Sequence, residues 1–179
     1  MAVDDHSLAR AAARGDSDAF GALLERHYDR LFALACRLTG CRAEAEDLTQ
    51  DICAALPAKL QGFDGRARVG TWLYRVAVNA AHDRRRRSGT RARAAEGWGD
   101  WERERRAADA EDQARALWLL SALHRLPEDL RDTLALVLDD LTHAEAGAIL
   151  GISEGTVSWR VSRAKEALRR LRDEEEAVG

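Results

Sequence analysis

Little in this sequence would break a helix: it holds two prolines in 179 residues. Alanine, leucine and arginine, which favour helix, dominate instead. Cysteine is also scarce. Cys36, Cys41 and Cys53 are odd in number and lie inside helical patterns, which excludes a disulfide framework. With no histidine at a zinc-ligand spacing, they read as reduced packing residues, and no metal site is expected. No run of about 18 apolar residues occurs, so no membrane-spanning helix is expected. The acidic start, Met1-Ala2-Val3-Asp4-Asp5, lacks the apolar core of a signal peptide, and a cytoplasmic location follows as the expectation. A phosphate-binding glycine loop is missing as well. The few histidines and scattered carboxylates form no nucleophile–base set, so neither catalytic residues nor a cofactor is expected.

An excess of positive charge is lacking too, since the formal net charge is -3. Its distribution matters more than its sum. Arg84 to Arg93 holds six arginines and no acid, and Thr156 to Arg172 holds six basic residues against Glu166 alone. Two basic patches thus sit in an otherwise acidic chain. Phosphate neutralisation supplies most non-specific affinity, so such a chain should bind free DNA weakly unless a partner holds it there.

What is present is helical periodicity. Asp16 or Ser17 can cap a long helix in which Phe20, Leu23, Leu24, His27, Tyr28, Leu31, Ala35 and Leu38 recur at helical spacing, and Gly40 stops it. A second helix is expected over 43–60, with Pro57 bending or shortening it. Residues 61–68 read as a loop, after which Thr71 is expected to cap a third helix running to about Arg87. Ser88 to Asp112 has no apolar periodicity and reads as a linker, with some helix near its end. From Gln113 the leucine spacing resumes, and Pro127 suits the first turn of a further helix. The expectation is an all-α chain of two helical domains, 1–88 and 113–179, joined by a charged linker at 89–112.

The sharpest local pattern runs from Thr142 to Val157. Thr142 and Glu145 stand at capping-box spacing, Gly151 suits a tight turn, and Ser153 can cap a second helix. Two short helices across such a turn make a helix-turn-helix. Its second helix presents Thr156, Arg160, Arg163 and Arg170 away from the buried line Val157, Val161, Ala164, Leu168 and Leu171. Arginine and hydroxyl side chains suit phosphates and purine edges. Trp159 either wedges against the first helix or flanks DNA.

A second candidate face lies on the third helix. Leu73, Val76, Ala77 and Ala80 make an apolar stripe, while Trp72, Arg75, Asn79, His82 and Arg86 share another side. An aromatic ring among cations and an amide suits single-stranded DNA. The preceding loop adds Phe63, Arg66 and Arg68. Local evidence equally allows a core Trp72 and a solvated arginine end favoured by the helix dipole.

Taken together, these patches resemble the extracytoplasmic-function (ECF) sigma factors of the sigma-70 family. Asp18-Ala19-Phe20, the Ala45-to-Asp51 stretch, the Thr71-to-Asn79 stretch and Asp83-Arg84-Arg85 are similar to their region 2. Leu126-Pro127-Glu128, Arg131, Leu150 to Val157 and Arg163-Ala164 are similar to region 4. The resemblance implies a factor that binds core RNA polymerase and directs promoter recognition and melting. It implies that Asp47, Gln50 and Asp51 dock on the β′ clamp helices. Phe63, Arg66, Trp72, Arg75, Asn79 and Arg84 would take the -10 element. Glu154, Thr156, Ser158, Trp159, Arg160 and Arg163 would read the -35 element, with their domain on the β flap. An anti-sigma factor is an implied further partner.

Some positions depart from the family pattern. Ala146 and Gly147 replace a common isoleucine–alanine pair, which should loosen packing there. Cys53 replaces a common phenylalanine, which should weaken a core position, and Ser158-Trp159 points to an unusual -35 sequence. Trp98 and Trp101 in the linker have no counterpart. A helix-turn-helix regulator acting alone would leave the Trp72 face and Asp47 helix without purpose. A helical polymerase-binding protein without promoter recognition would not need Arg160 or Arg163.

Overall fold

The computed structural model describes residues 4–88 and 110–177, and the described residues form eight helices and no strand. The N-terminal domain comprises α1 (Asp5–Ala13), α2 (Ser17–Thr39), α3 (Arg42–Leu60) and α4 (Val69–Ser88). The C-terminal domain comprises α5 (Ala110–Arg125), α6 (Glu128–Val137), α7 (His143–Leu150) and α8 (Glu154–Glu176). The expected linker falls largely outside the described residues, and Trp98 and Trp101 lie there entirely. Helix α5 begins at Ala110, where some helix was expected at the linker's end.

Caps and breakers fall close to their expected places. Asp16 accepts from the backbone of Asp18 and Ala19 at the start of α2, and Gly40 ends that helix at φ 69°. Such a left-handed residue suits glycine, which has no Cβ to clash. Helix α3 passes through Pro57 and ends at Leu60, so the proline does not shorten it. Two expectations need correction. Helix α4 starts at Val69, and the Trp72 amide already bonds the Arg68 carbonyl. Thr71 therefore lies inside the helix and does not cap it. Helix α1 was not expected, although Asp4 caps it by accepting from the Ser7 backbone and hydroxyl.

Leu31, Leu34, Leu38, Leu48, Ile52, Leu60 and Leu73 are fully buried in the N-terminal core. Cys36 is buried among them as a free thiol. Burial pushes its pKa up to about 11, so it stays protonated and packs as an apolar group. Cys41 and Cys53 are only half-buried, which corrects the expectation that Cys53 occupies the core.

The C-terminal domain has a small cluster of its own, formed by Leu123, Leu126, Leu134 and Ala164. Six other buried apolar residues of this domain (Ala135, Leu136, Ala146, Ile149, Val157 and Val161) join the N-terminal core in one continuous cluster. Helices α5 and α6 pack on α2, and α7 packs on α4. The domains are therefore docked through apolar contact.

Gly147 shows why α7 sits so close to the following turn. A Cβ there would lie 2.8 Å from the Ile152 carbonyl oxygen. The expected loosening at Ala146 and Gly147 is thus corrected, because Ala146 is wholly buried and the missing Cβ lets the two helices of the motif approach closely.

Candidate nucleic-acid interface

The helix-turn-helix is built as its spacing dictates. Thr142 and Glu145 form a reciprocal capping box, Gly151 ends α7 at φ 69°, and Ser153 accepts from the Thr156 amide to open α8. Glu145 is held below the usual carboxylate range by hydrogen bonds from the Thr142 backbone and hydroxyl. Val157, Val161 and Ala164 seat α8, as expected, while Leu168 and Leu171 are only half-buried.

On the outward side of α8, Glu154, Ser158, Trp159 and Arg163 are exposed, and Thr156 is half-buried. Trp159 leaves 59% of its surface open, so it does not wedge against α7. Ser158 shares a 2.8 Å hydrogen bond with His143 Nδ1, a residue that sequence reasoning passed over although it opens the first motif helix. Arg163 pairs with Glu166 at 2.8 Å. Arg160 is half-buried and lies 3.5 Å from Asp129.

The second face is only partly assembled as expected. Phe63 in the loop and Trp72 on α4 have ring centroids 5.2 Å apart, and His6 of α1 adds a third ring 5.7 Å from Phe63. The rings are tilted against one another, by 54° and 34°, and Phe63 and Trp72 are half-buried against the N-terminal core, so Trp72 is partly a core residue while part of its surface stays open. Arg66 is exposed beside Asp64, and Asn79 is exposed one turn beyond Arg75. Arg75 itself donates to the Ala148 carbonyl of α7 at 3.3 Å.

Arg84 stands apart from these residues. Twelve positions beyond Trp72, it has turned away around the helix and reaches α3, 2.9 Å from Asp47 and 3.3 Å from Asp51. Asp47, Gln50 and Asp51 share an exposed face of α3, so the acidic docking candidate and one basic strand-binding candidate neutralise each other. Exposed pairs of this kind contribute little stability and exchange readily for other partners.

Sequence reasoning missed the contacts between the domains. Asp132 on α6 accepts two hydrogen bonds from Arg85, at 3.0 and 2.5 Å, and pairs with His82 Nε2 at 2.8 Å. Seven residues further on, in the turn that follows α6, Asp139 accepts from Arg37 and from the Tyr74 hydroxyl. Burial and the Asp139 carboxylate push the Tyr74 pKa up, which keeps its proton in place to donate. The available signal was an aspartate, Asp132, within the apolar run of α6, where it is buried.

Known proteins place this architecture. The sigma-70 region 2 family model matches residues 23–91, and the sigma-70 region 4 model matches residues 116–168. The chain is therefore a member of the sigma-70 family. Within it, the chain is 34% identical over 173 residues to the ECF RNA polymerase sigma factor SigW of Bacillus subtilis, covering 89% of this chain and 92% of that one. It is 35% identical to the ECF sigma factor SigM of Mycobacterium tuberculosis, over 93% of this chain and 84% of SigM. It belongs with the ECF sigma factors. Among solved structures, CnrH in complex with the cytosolic domain of CnrY matches at TM-score 0.69 and 29% identity, covering 94% of this chain and 97% of that one. The sigma factor RpoE in complex with the anti-sigma factor NepR from Bartonella quintana matches at TM-score 0.71 and 26% identity, over 86% and 96% of the two chains. No described helix is long and apolar enough to cross a membrane.

Proposed function

We propose that this chain binds core RNA polymerase and directs it to promoters, with its two domains reading the -10 and -35 elements. Residues 1–88 are assigned to polymerase docking and strand capture, 89–112 to the connecting linker, and 113–179 to duplex reading. The carrying observation is the pair of partly open rings, Phe63 and Trp72, in a chain whose other domain is a helix-turn-helix. Aromatic rings suit unpaired bases, whereas an exposed recognition helix suits duplex DNA. A regulator that binds duplex alone would have no use for the first of these.

Asp47, Gln50 and Asp51 then face the β′ clamp helices, with Arg84 released from Asp47 and Asp51 to meet the DNA. Phe63, Arg66, Trp72, Arg75 and Asn79 take the -10 strand. Glu154, Thr156, Ser158, Trp159, Arg160 and Arg163 enter the -35 major groove while their domain rests on the β flap. The chain acts in the cytoplasm and is not an enzyme in its own right; the chemistry belongs to the polymerase. An anti-sigma factor is a further proposed partner, in line with the anti-sigma factor NepR bound in the RpoE complex.

Transcription in vitro tests this reading, with purified bacterial core polymerase and a library of genomic promoter fragments. Discrete transcripts should appear only when the chain is added, and should be lost with Asp47→Arg, Trp72→Ala or Arg163→Ala. Absence of transcripts, together with tight duplex binding by the chain alone, would replace it with a regulator acting without polymerase.

A further inference from the structure

A hydrogen bond crosses the turn of the helix-turn-helix and ties its two helices together outside their apolar contact. His143 opens α7, Ser158 lies on the second turn of α8, and His143 Nδ1 is 2.8 Å from the Ser158 hydroxyl oxygen. The contact follows from the way α7 packs. His143 and Gly147 are four residues apart and so share one face of that helix. That face meets α8 closely, since a Cβ at Gly147 would lie 3.6 Å from the Val157 side chain and 2.8 Å from the Ile152 carbonyl oxygen. Val157 is fully buried in the crossing, whereas Ser158, the next residue, is exposed and His143 is half-buried. The pair therefore sits at the rim of the crossing, with the hydroxyl on the outward side.

A serine hydroxyl is ambivalent. It can donate to guanine N7 and O6 or to thymine O4, and it can accept from the amino group of adenine or cytosine. A hydroxyl free to rotate suits either kind of base and so distinguishes little. Thr156 and Ser162 are tied close by in sequence, Thr156 to the Ser153 hydroxyl and Ser162 to the Ser158 carbonyl. Ser158 is tied instead to a ring on the other helix. In a neutral imidazole one nitrogen donates and the other accepts. At the N-terminus of α7 the partly positive backbone amides favour a lone pair on Nδ1, the nitrogen nearer the backbone, and leave the proton on Nε2. Nδ1 then accepts from Ser158, and the hydroxyl oxygen has only lone pairs left to offer the groove.

We propose that His143 is a positioning residue that sets the base preference of the -35 reader. By accepting the Ser158 hydrogen bond it turns Ser158 into an acceptor, which selects an adenine or cytosine amino group on the strand it faces. The inference rests on assigning α8 to duplex reading of the -35 element.

The test assembles purified bacterial core polymerase with the full chain and selects bound duplexes from a pool randomised over the upstream promoter element. The position read by Ser158 is the one whose base preference Ser158→Ala removes. There the parent should favour adenine or cytosine over guanine or thymine by about three- to tenfold. His143→Ala should reduce that preference to about twofold or less and leave the other positions unchanged. Adding His143→Ala to Ser158→Ala should change nothing further at that position. His143→Asn should keep the preference, because its amide oxygen occupies nearly the place of Nδ1. His143→Gln carries its amide farther out, near the place of Nε2, and should behave as His143→Ala does. These two variants differ by one methylene, so a contrast between them reports the hydrogen bond and not the fold. In the free chain, nitrogen NMR of the ring should show a bare Nδ1 that shifts with Ser158→Ala and a protonated Nε2.

An unchanged preference in His143→Ala would overturn the inference. So would an even loss at every position without rescue by His143→Asn, which would make His143 a structural support only. A preference for guanine or thymine at the Ser158 position would overturn the acceptor assignment. A parent that selects other positions but none tied to Ser158 would sink this inference alone. A parent that selects no sequence would sink the promoter reading as well.

Discussion

The two domains are stabilised by different means. The N-terminal domain is thick: α1 to α4 enclose a row of fully buried leucines and an isoleucine, with His27, Thr39 and Thr49 buried beside them. The C-terminal domain is thin. Its private cluster holds four buried residues, and six more of its buried apolar residues belong to the cluster that continues the N-terminal core. Its local order comes instead from caps, namely the box at Thr142 and Glu145, the turn at Gly151 and the Ser153 cap. A domain with a deep core keeps its shape by volume filling, whereas one with a shallow core depends on backbone geometry and on its neighbour. The division also fits the proposed roles, because a reader of duplex DNA needs a rigid helix-turn-helix more than a large core.

The contrast is broken most directly by truncating one leucine in each domain. Leu48 is 1% exposed among α2, α3 and α4, and Leu48→Ala should destabilise the chain by about 2–5 kcal/mol. Leu126, 5% exposed at the edge of the small cluster, can be compensated by nearby collapse, so Leu126→Ala should fall at about 2 kcal/mol. Urea unfolding of the full chain measures both. Equal losses would mean that the C-terminal core is as well packed as its partner.

Gly147→Ala addresses the geometry of the thin domain. The added methyl carbon would meet the Ile152 carbonyl oxygen at 2.8 Å, and backbone gives way less easily than a side chain. A loss of about 1–3 kcal/mol is expected, with weaker duplex binding in the assembled polymerase because the angle between α7 and α8 must change. Alanine improves helix propensity, so a gain in melting temperature would show that close approach at this turn is dispensable.

These contacts also show what could be read without a structure. Helix spans, the cap at Asp16 and the whole turn from Thr142 to Ser153 follow from local rules, and local rules act within a few residues. Helix α1 escaped because it is short and its buried line, Leu8, Ala9 and Ala12, holds only one large apolar residue. The Arg84-to-Arg87 run reads as one basic patch. On a helix, however, successive side chains diverge by about 100°. Arg84 turns to Asp47 and Asp51, Arg85 to Asp132 and Arg86 to Asp83. The docking of the two domains was not legible for a similar reason. Asp132 on α6 and Asp139 in the turn after it are visible in the sequence, but their partners Arg37, Tyr74, His82 and Arg85 lie far away along the chain, and periodicity carries no information about which surfaces meet.

A smaller effect concerns the cap that starts α7. Thr142→Ala removes the oxygen that accepts from the Glu145 amide at 3.2 Å and breaks the box from one side. The expected loss is about 1 kcal/mol, and it should appear in the C-terminal domain's amide hydrogen exchange without altering protection in α2 or α3. Uniform loss of protection throughout the chain would show that the two domains unfold as one unit, which would weaken the contrast between them.

The smallest effect is a change in pH dependence. Glu145 is held below its ordinary range by hydrogen bonds from the Thr142 backbone and hydroxyl, so the folded state favours its ionised form. Stability from this source is fully present above the ordinary glutamate range and is lost as pH falls through the lowered folded value. Asp5 is lowered as well: burial acts to raise it, but hydrogen bonds from Arg26 and His27 outweigh burial. Acidification should therefore loosen the start of α7 and the seat of α1 over a similar window. Glu145→Gln keeps an acceptor for Thr142 but cannot titrate. It should flatten the acid limb of the α7 exchange profile while leaving that of α1 unchanged. An α7 profile that keeps its acid sensitivity in Glu145→Gln would show that another group controls this helix.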